Sequence, residues 1–369
     1  MFNLGKRFLV VLFAVFIAGS VFAKSKDTTK VKNTSAQKEK SKPTKTKKKN
    51  SDELPSSVAN QIGAPTGDVS KGRFGGTVTF EQSLGLGTFV ADTYARNPYY
   101  GMLLSLRPRY YINKKMMLEL NFSIQTEITS SYTTSTTKKH QFMPSDTYLT
   151  FRYSSLLKEK HTGITFSPYI RLGFPSSYES RFRDQYLSLA VAFDLADMLA
   201  KGHLYLSYTF RFTKNFNKYT TATVSTNDDY PVAVARLKGN EELGANLIAT
   251  GLQNTSFSIR DSLLASWLIN PQWTLTFVFG IINSFTYSSY PKDKFAAAAA
   301  KSGRGQNDYT FGVIDLTYQP WKHYGFSLGV SSYQPAKTAD NKSFRFPFFD
   351  FSSEANNYTN FYFDVFATF

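Results

Sequence analysis

Residues 360–369 read "NFYFDVFATF", and the alternation in that stretch decides the fold. Phe361, Phe363, Val365, Ala367 and Phe369 recur at every second position, the period at which a strand returns to the same face. The positions between them, Asn360, Tyr362, Asp364, Phe366 and Thr368, mix aromatic with polar side chains. One face is therefore wholly apolar. A soluble sandwich would turn it to a core and a membrane barrel would turn it to lipid.

The start of the chain supplies the context. "MFNLGKRFLVVLFAVFIAGSVFAKS" places Lys6 and Arg7 before an apolar run from Phe8 to Gly19, with small residues ahead of Ala23. This predicts a secretory signal peptide over 1–23, because the run is well short of the roughly 20 residues of a membrane-spanning helix. The sequence holds no Cys, which excludes disulfides and thiolate chemistry and suits export into a bacterial cell envelope. No later stretch is an uninterrupted apolar segment of helix-spanning length. Yet 16% of residues are aromatic, with 34 Phe and 23 Tyr, while the mean hydropathy is only −0.29. Much aromatic surface with little continuous hydrophobicity is the composition of strands that are apolar on alternate residues.

Residues 24–50 hold eleven Lys against Asp27 and Glu39, so this segment alone carries +9 of the formal net charge of +16. With Val31 as its one large apolar residue it has nothing to bury, and 24–72 is expected to be a disordered, Lys-rich periplasmic linker. It is either a solvated spacer or an electrostatic tether to an anionic envelope polymer; nucleic acid is not an expected partner of an exported chain.

Over 73–369 the chain divides into about twelve alternating segments of the length that a tilted transmembrane strand needs. The connections give an independent test. Those at 87–99, 128–145, 175–183, 214–255, 288–307 and 335–357 are long and polar, whereas 112–115, 156–161, 196–202, 270–271 and 319–322 are short. Long and short strictly alternate, as in a barrel whose turns lie on the periplasmic side and whose loops lie outside. A sandwich has no reason to sort its loops by parity. The fold class expected is all-β, a transmembrane antiparallel barrel of about twelve strands with a basic N-terminal tail and both termini in the periplasm.

Signal peptide, parity-sorted loops and a last strand ending on Phe resemble the Gram-negative outer-membrane β-barrel proteins, a porin-like class. The resemblance implies an outer-membrane location, with lipid and lipopolysaccharide around the wall. It also implies recognition of Phe361, Phe363, Val365 and Phe369 by the barrel-assembly machinery.

If each strand's apolar set faces lipid, the inner set contains Glu81, Arg107, Arg109, Glu119, Glu127, Arg152, Arg171, Asp194, Arg211, Arg260, Asp315 and Asp364. That is six Arg against six acids, alternating in sign along the first four strands, so a salt-bridged wall and a weakly selective water-filled pore are both compatible with it. Small inward residues at Gly280, Gly325, Gly329, Ser327, Ala190 and Ala192 are expected to leave room for a narrow channel, and inward Tyr148, Tyr169, Tyr186, Tyr205, Tyr309 and Tyr362 would line a path for sugars or nucleosides. In 214–255, Leu243, Leu247 and Ile248 are expected to form one side of a short helix, and "KFAAAAAKSG" at 294–303 is expected to form a loop helix.

Catalytic patterns are sparse. Four His are present, with His161, His203 and His323 at expected turns and His140 in a loop, and HExxH does not occur. The expectation is a channel for small polar solutes, with no enzymatic activity, cofactor or metal. The alternatives are a closed structural or surface-interaction barrel, or a rim hydrolase built on Asp146, Asp184, Asp261 and Asp308.

Overall fold

The structure is a computed structural model, and it describes residues 72–89, 98–129, 140–225, 247–288, 303–338, 340–351 and 358–369. The expected signal peptide and nearly all of the Lys-rich linker lie outside the described residues.

Twelve strands form the wall: β1 Phe74–Gly85, β2 Tyr100–Tyr111, β3 Met116–Glu127, β4 Thr147–Tyr153, β5 Thr165–Phe174, β6 Gln185–Leu199, β7 Leu204–Asn217, β8 Thr255–Leu268, β9 Trp273–Thr286, β10 Gln306–Tyr318, β11 Tyr324–Pro335 and β12 Thr359–Thr368. Each pairs antiparallel with the next, and β12 pairs with β1, so the sheet closes and has no free edge.

The sequence of β7 shows why these segments form strands. Leu204, Leu206, Phe210 and Phe212 share one face, while Ser207, Thr209, Arg211 and Thr213 share the other. Large exposed apolar side chains mark the outer face around the ring, among them Leu120, Ile170, Val191, Trp267 and Leu328. Phe361 and Phe363 stand on the same outer face, so the apolar side of the last strand is directed to lipid as its alternation predicts. At the seam Gly76 and Phe369 exchange backbone hydrogen bonds of 3.0 and 3.1 Å.

Short turns gather at one end of the barrel and long connections at the other. The expected turn at 196–202 is shorter than the sequence suggests. Ala196 and Met198 pack against Tyr205 and Leu268, so alternation continues to Leu199 and the chain reverses over Ala200–Gly202. Ala200 and Gly202 take φ of 51° and 91° there, the left-handed conformation that so tight a reversal requires.

Two further expectations are corrected. Leu247 and Ile248 lie in a strand, not a helix: Leu247–Gln253 pairs with Thr221–Ser225, extending the β7–β8 hairpin beyond the barrel. Backbone pairing with a β-branched partner segment prevails there over the weak helical period. Leu243 and most of the alanine-rich run at 294–303 lie outside the described residues.

The connection after β11 also departs from a free loop, because its 344–351 part doubles back along the outer face. Gln334 donates from Nε2 to the Phe346 carbonyl at 2.6 Å, Ser332 donates to the Pro347 carbonyl, and Phe348 meets Phe277 edge to face at 6.4 Å. A side chain at Gly312 would strike the Pro347 carbonyl, so glycine is what lets this strap lie against β10. The strap buries polar Ser332 and Gln334 on a face that otherwise meets lipid.

Candidate functional site in the barrel lumen

Cross-strand register decides which side chains meet inside. Thr77 faces Arg107, Arg109 faces Glu119, Arg152 faces Tyr169, Arg211 faces Arg260 and Glu81 faces Asp364. Directly opposed residues share a face. All twelve charged positions named from the sequence, Glu127, Arg171, Asp194 and Asp315 included, fall on the face opposite the exposed apolar set.

Two of the arginines are neutralised at once. Arg109 Nε lies 2.7 Å from Glu119 Oε2, with both residues buried. Arg152 is ion-paired to Asp194, whose other oxygen accepts from the Thr209 hydroxyl at 2.6 Å, and the Arg152 guanidinium sits 4.4 Å from the centre of the Tyr169 ring. The sign alternation closes into a neighbouring-strand ion pair at Arg109–Glu119, whereas Arg152 on β4 reaches past β5 to Asp194 on β6.

Elsewhere it does not. Among the described residues, Arg171, Arg211 and Arg260 have no carboxylate oxygen within 4.0 Å. Neutral groups hold them instead. Arg171 donates to the Thr150 hydroxyl at 3.0 Å, Arg211 to the Tyr169 hydroxyl at 2.9 Å, and Arg260 lies over the Phe311 ring at 4.1 Å. Asp315 accepts from Thr317 at 2.5 Å and from the Tyr362 hydroxyl at 2.9 Å. Asp364 has an oxygen that is buried without a hydrogen bond, and so does the Nε of Arg107.

The inward glycines do not leave empty space, which corrects the expectation. A Cβ on Gly280 would lie 2.2 Å from the Phe311 ring, one on Gly325 2.3 Å from Phe366, and one on Gly329 2.4 Å from Tyr362. In each case the ring belongs to the residue directly opposite on the neighbouring strand. Each glycine is a bed on which an aromatic ring lies flat along the wall. Tyr148, Tyr169, Tyr205, Tyr309 and Tyr362 are inward by register, whereas Tyr186 sits at an irregularity in the β6–β7 pairing and is exposed.

At the long-loop end, the connection at 175–184 carries a one-turn helix, α1 Tyr178–Phe182. Asp146 pins it by accepting from the Ser177 N–H at 3.0 Å and the Ser180 hydroxyl at 2.5 Å. Asn217 and Asn254 both donate to the Arg183 carbonyl just beyond it. The Glu179 carboxylate pairs with Arg183 at 2.8 Å within the same segment. Sequence reasoning missed this element because five residues are too few to show a helical period; the Ser177 to Ser180 capping pattern was the one available signal.

Several of the residues considered for catalysis have hydrogen-bond partners in the wall or its connections. Asp308 accepts from Asn283 and Gln306. His203 and His323 contact the Leu268 and Thr368 carbonyls at 3.2 and 2.9 Å, at the short-turn end, while His140 contacts the Glu127 carbonyl. Asp261 is not at the rim. It opposes Phe210 and Ile281 near the middle of β8, on the lipid-facing side, where the Tyr208 hydroxyl donates to it at 2.5 Å.

No protein-family model and no curated protein sequence matches the chain. Among solved structures, an outer-membrane channel from Pseudomonas putida F1 is similar with a TM-score of 0.47 and 9% identity, over 80% of this chain and 95% of that one. The NanC porin is similar at 0.41 and 10%, over 79% and 98% of the two chains. The KdgM porin, solved with disordered oligogalacturonate, is similar at 0.37 and 7%, over 79% and 99%. The fold itself, a closed antiparallel barrel of twelve strands, rests on the strand pairing of this chain. At such scores and identities the reading of function rests on this chain's own geometry.

Proposed function

We propose that the protein is a passive, weakly selective channel for small polar solutes across the outer membrane of a Gram-negative bacterium, with both termini on the periplasmic side. One observation carries this reading. Arg171, Arg211, Arg260 and Glu81 lie well inside their strands and keep part of their surface accessible, which supports a hydrated interior of the barrel. Charges left without partners in a dry, packed core would be far more costly than charges along a wet wall.

The balance of six Arg and six acids supports weak discrimination between monovalent ions. Phe361, Phe363, Val365 and Phe369 form the seam strand that the assembly machinery would read. The Lys-rich segment before the barrel would attach to an anionic envelope polymer. Single-channel recording in planar bilayers, with and without residues 24–72, tests the channel. Steady ohmic steps with mild ion selectivity are expected. Silence from folded protein in both forms would favour a closed structural barrel, a reading to which the ion pairs Arg109–Glu119 and Arg152–Asp194 lend weight.

A further inference from the structure

We propose that the inner wall of β5, β7 and β8 is a binding site for a small multivalent oxyanion, held by Arg171, Arg211 and Arg260. The inference rests on a lumen that water enters and names what its charged wall retains.

Arg211 and Arg260 are direct cross-strand partners, on strands about 5 Å apart. Arg171 stands two strands from Arg211, and the side chains between them are Ala190 and Ala192, which are buried and too short to intervene. Two strand spacings put the backbones of Arg171 and Arg211 roughly 10 Å apart, a span that two long side chains can bridge. Like charges directly opposed across a sheet are destabilising, and the nearest carboxylate on the intervening strand, Asp194, is committed to Arg152 and Thr209. Among the described residues the wall thus supplies a contacting counter-ion for Arg109 and Arg152 but no carboxylate within 4.0 Å of these three.

What the wall does supply is orientation. A guanidinium carries five N–H donors in a planar fork that matches carboxylate and phosphate oxygens. The Thr150 hydroxyl takes one donor from Arg171, the Tyr169 hydroxyl takes two from Arg211, and the Phe311 face supports Arg260 without using any. Each side chain is steadied while most of its donors remain open. In a ring of twelve strands, β1 and β12 lie across from β6 and β7, so Glu81 and Asp364 present negative charge from the facing side. An anion is drawn to one wall and repelled from the other. Because charges balance over the whole lumen, the effect is selective for ligands able to engage two or three guanidinium groups together.

The test uses the full-length folded chain and inorganic pyrophosphate. Calorimetric titration in detergent should show saturable binding that weakens with added salt, and pyrophosphate should block KCl current in planar bilayers. The double variant R211Q/R260Q should weaken binding at least tenfold, R211K/R260K should fall between it and the wild type, and K322Q at the short-turn end should not change it. If the double variant does not fold, R260Q alone should still weaken binding several-fold. Equal binding by wild type and folded Arg variants, or no binding by the folded wild type at millimolar pyrophosphate, overturns the site. Conduction without binding would remove the site and leave the channel standing. Arg-dependent binding without conduction would do the reverse.

Discussion

Glu81 on β1 and Asp364 on β12 are direct cross-strand partners at the seam where the barrel closes, both on the inner face. Among the described residues no cation lies within 4.0 Å of either. Directly opposed like charges cost a sheet up to about 1 kcal/mol. The substitution D364N should therefore raise the urea midpoint of unfolding, by an amount corresponding to roughly 0.5–1 kcal/mol. A lowered midpoint would mean that attraction to Arg107 outweighs repulsion by Glu81.

The buried pair Arg109–Glu119 predicts the opposite behaviour. E119Q or R109M alone strands one buried charge and should cost about 3–5 kcal/mol. The apolar double variant R109M/E119L should recover most of that loss. A double-mutant cycle on unfolding midpoints checks the expectation.

Gly280 holds Phe311 against the wall. G280A should cost about 1–3 kcal/mol by overpacking. It should also swing the ring toward the axis and lower unitary conductance. F311L in the same chain should restore both. Unchanged conductance in folded G280A would show that the ring does not border the permeation path.

Asp261 shares the lipid-facing side with the Tyr208 hydroxyl that donates to it. Y208F should destabilise by about 1–3 kcal/mol, because an acceptor on an apolar face loses its donor. D261L/Y208F should be more stable than Y208F alone. Gel-shift unfolding of the three proteins decides this.

Glu159 in the short turn between β4 and β5 offers a pH test. The backbone N–H groups of Thr162 and His161, then the Thr162 hydroxyl, hold its carboxyl below the ordinary glutamate range. A lowered folded value stabilises above the unfolded value of about 4.3, and that contribution is lost as the pH falls through the folded value. E159Q should thus be less stable than the wild type at neutral pH, with the gap closing under acid. A gap that persists at about pH 3, or is absent at neutral pH, would contradict the assignment.

Strand number, the direction of the last strand's apolar face and the inward set of charges were legible in the sequence, because a period of two reports faces directly. Partners within a face were not. Gly280 and Gly329 look like vacancies in one dimension, and only the register with Phe311 and Tyr362 shows them to be occupied. Asp261 interrupts an apolar face, and Tyr208, which makes that tolerable, is on another strand. The strap at 344–351 and α1 lie in connections, where no period distinguishes a free loop from one bonded to the wall.

Closing the seam brings together strands that start at Phe74 and end at Thr368, the longest excursion of chain between any two neighbours in the ring. Confining so long a loop costs on the order of 5 kcal/mol of chain entropy, against about 1–3 kcal/mol for the local hairpins. Consecutive strands can pair as they meet, but the ring cannot close before both of its ends are present. The seam is the expected bottleneck in the kinetics of folding, and its amides, those around Glu81 and Asp364 among them, should be the first of the wall to exchange hydrogen for deuterium.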